Sequence, residues 1–76
     1  MKRGNQLLKD MLAPHGAQAA FVREFNEGYE GSKVDAPMVS RWCNGRMPSP
    51  EHMARIEDLK EIPMRAWTED TEQGAA

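Results

Sequence analysis

A chain of 76 residues, 39% hydrophobic and 29% charged, is one small globular domain rather than a disordered segment. Its single cysteine excludes an internal disulfide and an all-thiolate zinc site, and no apolar run approaches the roughly 20 residues of a membrane span. The net charge of −2 hides an uneven distribution: Glu69, Asp70 and Glu72 stand without a cation after residue 67, whereas Lys33, Arg41 and Arg46 face only Asp35 between Ser32 and Ser49.

Lys2 and Arg3 read as a short mobile basic arm. A first amphipathic helix is predicted over 5–13, with Leu8, Met11 and Leu12 at helical spacing and Asn5 as its cap. Pro14-His15-Gly16 stops it. A second helix begins at Ala17, with Phe21 and Phe25 four apart. Small residues at 19 and 20 suggest that the next helix crosses there. Gln18 lies in the first turn, where it either meets a phosphate or is an ordinary surface residue. Two glycines, an asparagine and a serine make 26–33 a connector, and Val34 should anchor the chain before the next cap.

The stretch 35–44 organises the rest. Asp35 suits an N-cap, Pro37 tolerates the first turn, and Asn44-Gly45 supplies a left-handed terminator. Val39 and Trp42 share an inner face, leaving Ala36, Pro37, Ser40 and Arg41 outside. Such a helix is too short to stand alone. After a loop at 46–48, Ser49-Pro50-Glu51 reads as cap, N1 proline and first-turn acid of a fourth helix over about 50–60, with Ile56 and Leu59 buried and His52 at their border. A short fifth helix starts at Pro63, with Trp67 folded back on the core. Residues 69–76 read as frayed. The six methionines are expected to fill core gaps, and Cys43 reads as a partly buried structural thiol.

Two short helices joined by a turn, the second with a polar outer face bearing a cation, form the helix-turn-helix pattern. Gln18-Ala19-Ala20-Phe21, Val34-Asp35, Val39-Ser40-Arg41-Trp42-Cys43-Asn44-Gly45, Pro48-Ser49-Pro50-Glu51 and Ile56-Glu57-Asp58-Leu59 together resemble lambda-repressor-like (Cro/cI-type) DNA-binding domains of small phage and bacterial regulators. The resemblance covers about residues 5–67. It implies an all-α, compact five-helix bundle over 1–67 containing a helix-turn-helix with a lengthened turn; the charges of 68–76 make that stretch an acidic, flexible tail. The 35–44 helix would lie in the major groove of double-stranded DNA. Ala36, Pro37, Ser40 and Arg41 match positions that face base edges; Gln18, Asn44 and Arg46 match positions that meet the sugar–phosphate backbone. Val39, Trp42, Ala20 and Phe21 match the packed interior. Two departures stand out: Ala17 replaces a Ser or Thr cap, and eight residues separate Phe25 from Val34, making the turn longer than the family's by about seven. In that turn Tyr29, Ser32 and Lys33 either add backbone contacts or form a surface insertion.

The resulting expectation is a cytoplasmic, sequence-specific regulator, simplest as a repressor, binding an inverted-repeat operator as a homodimer. Arg41 would read guanine through its fork of donors, or else pair with a phosphate. No catalytic residue, metal, cofactor, small-molecule ligand or membrane contact is expected: His15 and His52 have no metal or triad spacing, and Cys43 is no nucleophile. The alternative is a protein-interaction module of the same fold, an antitoxin or anti-activator, with the acidic tail docking a basic partner.

Overall fold

The computed structural model describes residues 1–70. In chain order these form α1 (Arg3–Met11), α2 (Ala17–Asn26), α3 (Ala36–Cys43), α4 (Pro50–Lys60) and a terminal 3-10 turn (Met64–Thr68). The all-α expectation holds for them, since the extended pairing among the described residues is one isolated antiparallel bridge, Lys2 to Asp70. The predicted fifth helix is the five-residue 3-10 turn instead. Pro63 opens it in an extended conformation and Glu69 leaves it extended, so little chain remains for α-helical hydrogen bonds.

The caps of α3 and α4 follow the residues that announce them. The Asp35 carboxylate accepts from the Met38 backbone N–H at 2.9 Å, and the Ser49 hydroxyl accepts from that of His52 at 3.4 Å. At its far end α3 closes in a Schellman motif: the Arg46 N–H donates to Arg41 O at 2.9 Å and the Gly45 N–H to Trp42 O at 3.2 Å. Gly45 has φ +106°, a conformation that suits a residue without Cβ.

Several expectations need correcting. α1 starts at Arg3, so Asn5 lies inside its first turn, fully buried, and does not cap it. Lys2 and Arg3 are no mobile arm: Lys2 Nζ pairs with Asp70 at 2.9 Å, and Arg3 with Glu69 at 2.9 Å. Glu69 and Asp70 are therefore engaged rather than frayed; residues 71–76 of the predicted tail lie outside the described residues. Ala19 and Ala20 are exposed, so α3 does not cross there and Ala20 is not interior. A spacing of four places Ala17, Phe21 and Phe25 on the buried face instead. None of the methionines is fully buried; Met1, Met11, Met47 and Met64 are exposed, and Met38 and Met53 only border the core. Leu59 is half-buried, whereas His52 is taken inside.

The core is aromatic at its centre. Phe25 meets Phe21, Tyr29 and His52 edge-on at centroid distances of 5.9, 5.2 and 5.5 Å, with Trp42 at 6.1 Å. Leu8, Val39, Ile56, Ile62 and Trp67 complete it, each at most 1% exposed. Trp67 lies flat against Gly4: a Cβ at that glycine would stand 2.5 Å from the indole Cδ2.

The long turn between α2 and α3 is ordered. At its neck the Asn26 amide donates to Val34 O (2.8 Å) and accepts from Val34 N (2.9 Å). Its outer part leans on α4. Glu51 accepts from the Tyr29 hydroxyl at 2.7 Å and the Ser32 N–H at 2.9 Å, and His52 Nε2 lies 3.0 Å from Ser32 O, an acceptor to which an Nε2–H donates. Arg55 closes the C-terminus of α2 through the carbonyls of Phe25 (3.2 Å) and Glu27 (3.1 Å). The Tyr29 hydroxyl, then the Ser32 amide, hold the Glu51 carboxyl below its ordinary value. A depressed folded value stabilises above the unfolded one, about 4.3, and that stabilisation is lost as pH falls through the folded value. On acidification from pH 6 to 3, the Ser32 amide resonance should titrate with a midpoint below the ordinary carboxylate value. In Glu51→Gln that step should be missing; its persistence would assign the step elsewhere.

Candidate nucleic-acid interface

α3 is amphipathic in the required sense. Val39 and Trp42 are sunk in the core at 0% and 3% exposure, while Ala36, Pro37, Arg41 and Asn44 are exposed and Ser40 is half-buried. Among the described residues, neither Arg41 nor Arg46 has a side-chain hydrogen bond or ion pair. Among the described residues, the side-chain cations in ion pairs are Lys2, Arg3, Lys60 and Arg65. An unpaired guanidinium next to another is an anion-seeking arrangement, because it presents two planar forks of donors with no acceptor to quench them.

The Schellman closure brings the two arginines together. Ser40, Arg41, Asn44, Gly45 and Arg46 line one open concavity of about 380 Å³. Arg41 and Arg46 also border a second cleft of about 230 Å³, lined as well by Met38, Trp42, Met47, Ser49 and His52. The Asn44 amide donates to Ser40 O at 2.8 Å, which uses one of its two N–H hydrogens.

Four of the predicted residues thus share one surface: Ser40, Arg41, Asn44 and Arg46. Ala36 and Pro37 stand at the opposite, N-terminal end of α3, exposed and small. Gln18 Nε2 donates to Ala36 O at 3.0 Å, which links the first turns of α2 and α3 and braces α3. Lys33 folds onto its own turn, where the ammonium donates to Asn26 O at 3.0 Å and to Tyr29 O and sits 6.0 Å from the Tyr29 ring centre. It does not line the arginine concavity.

Sequence reasoning missed the residue beneath the arginines. Asn5 Nδ2 donates to Trp42 O at 2.7 Å and to Arg46 O at 2.9 Å, from a side chain with no exposure at all. Its type and position near the start of a helix pointed to capping, and nothing local distinguishes the two uses. Burial raises the Cys43 thiol above its ordinary value, which fits a packing role and not a nucleophile. Among the described residues no three potential ligands cluster to hold a metal ion, and no helix is long and apolar enough to cross a membrane. Compared with protein-family models, curated proteins and solved structures, the chain matches none.

Proposed function

We propose that this chain is a sequence-specific double-stranded-DNA-binding regulator of the lambda-repressor-like type that its motifs resemble. In this reading α3 lies in the major groove. Ala36, Pro37, Ser40 and Arg41 face base edges, and Arg46 and Asn44 meet the adjoining backbone. The observation that carries the reading is the unpaired arginine pair on the outer edge of a short, doubly terminated helix whose other face is locked into the core. A reader of base edges needs this combination: donors left free for the groove, on a backbone that does not yield.

A lone domain of this size covers one half-site, so the proposal includes a homodimer on an inverted repeat, acting simplest by occluding a promoter. The competing protein-interaction reading drew on the acidic tail. Glu69 and Asp70 are already spent on Arg3 and Lys2, which leaves that reading with less support.

The test is selection from a random duplex pool, followed by footprinting of the enriched sequence and of DNA flanking the chain's own gene. One enriched inverted repeat, with a 2:1 protein–duplex complex in sedimentation, is expected. An unenriched pool would sink the proposal, and a saturated 1:1 complex would remove the dimer from it. Affinity should fall steeply with salt, because each neutralised phosphate releases counterions. Arg46→Gln should weaken binding about equally on all sequences and flatten the log–log salt slope by about 1. An unchanged slope would take Arg46 off the backbone.

A further inference from the structure

We propose that Asn5, buried beneath the arginine turn, is the positioning residue that sets where the two arginines stand. The inference rests on the DNA-binding reading above and adds to it a residue that touches no nucleic acid. Arg41 and Arg46 belong to one hydrogen-bonded unit: Arg46 N donates to Arg41 O at 2.9 Å, so their stems leave the two ends of a single Schellman motif. That motif is a terminus with a glycine hinge: Trp42 and Cys43 seat its helical side in the core, and on the far side of Gly45 its backbone needs a tie of its own. Asn5 supplies the tie. Its two amide hydrogens go to the Trp42 carbonyl in the last turn of α3 and to the Arg46 carbonyl just beyond, across 37 and 41 residues of sequence.

The chemistry fixes the orientation of the amide. Both partners are carbonyl oxygens, which only accept, so the nitrogen must face them and no flipped amide serves. The opposite face of the amide shows how costly the arrangement is: Asn5 Oδ1 is buried without a hydrogen-bond partner. A buried amide that leaves its own oxygen unsatisfied to hold two carbonyls of the arginine turn is placed for those carbonyls. An apolar residue at this helix position would bury more favourably and would leave Trp42 O and Arg46 O without the donor.

Asn5 therefore converts the register of α1 in the core into the register of the arginines on DNA. A purely structural asparagine would affect stability, and through it all binding alike. A positioning asparagine acts on cognate DNA through Arg41 and loses its effect when Arg41 is absent. The experiment is a double-mutant cycle of Asn5→Ala and Arg41→Ala, on the duplex selected by the wild type and on a random duplex. It is run in one buffer at a temperature where circular dichroism shows all four proteins folded. Asn5→Ala should weaken cognate binding about tenfold and random binding less than about twofold, and in the Arg41→Ala background it should change cognate binding less than about twofold. Equal losses on both duplexes, or losses that multiply in the double variant, would overturn the proposal. If Asn5→Ala does not fold, Asn5→Ser takes its place, and amide exchange of Gly45 and Arg46 is read alongside. The proposal requires faster exchange at those two amides with the Ile56 amide unchanged, and uniform acceleration would overturn it. Failure of the wild type to select any sequence is a different result, which strikes the DNA-binding reading itself.

Discussion

Trp67→Ala should remove about 3–5 kcal/mol of folding stability, the range for deleting a large aromatic from a core. At roughly 0.05–0.15 kcal/mol per residue, a chain of 76 residues holds on the order of 4–11 kcal/mol in all, so this one change should leave the protein marginal or unfolded at 37 °C. Trp67 carries so much because it is fully buried on a turn of only five residues and lies against Gly4, where no side chain intervenes. It closes the last turn over α1, and the Lys2–Asp70 and Arg3–Glu69 pairs only border that contact. Those pairs are exposed and contribute little each. The indole Nε1 has no hydrogen-bond partner among the described residues, so Trp67→Phe should be far milder than Trp67→Ala: it removes an unsatisfied donor together with part of the ring. Gly4→Val should resemble the alanine variant, by displacing the indole. Urea unfolding followed by circular dichroism measures all three. A loss below about 1 kcal/mol for Trp67→Ala would mean that the terminal turn is not docked as described.

Arg41→Ala should lower affinity for the selected operator by about 10–100-fold, the equivalent of the roughly 1–3 kcal/mol of a bidentate contact to guanine, while changing affinity for random duplex far less. The ground is that Arg41 is exposed in the last turn of α3 with its guanidinium unpaired. Arg41→Lys separates charge from shape. The ammonium keeps a phosphate contact but cannot present a planar fork, so the lysine variant should retain the salt slope and lose discrimination. Titrations of both duplexes at one fixed salt concentration decide the matter. Equal losses on the two would reassign Arg41 to the backbone and leave base reading without its main residue.

What could be read from the sequence was what local chemistry determines. Asp35 with Pro37 and Ser49 with Pro50 each announce a helix start through groups within four residues, and both starts lie where those groups put them. Asn44-Gly45 likewise announces the end of α3. The apolar spacing of Phe21 with Phe25 and of Val39 with Trp42 assigned the inner faces, because periodicity is also local. Long-range pairing was not legible. Lys2 and Arg3 look like a free arm until Glu69 and Asp70 arrive from the other end of the chain. Asn5 has the same chemistry as a cap and as a buried tie. Ala19 and Ala20 misled because small residues permit a close helix crossing without requiring one, and the larger Phe21 and Phe25 captured the neighbour. Within the candidate interface, the residue types singled out Ser40 and Arg41 for base edges and Asn44 and Arg46 for the backbone, and the fold brings these four onto one surface. The backbone carbonyls that accept from Gln18 and Lys33 belong to segments whose approach only the fold reveals.

The double clasp between Asn26 and Val34 has a consequence for how such a chain can vary. Because the two ends of the excursion are cinched side by side, the direction in which α3 departs is decided at the knot and not along the path between. Tyr29 and Ser32 rest on α4, and the residues around them can lengthen, shorten or acquire new contacts while the aim of α3 stays the same.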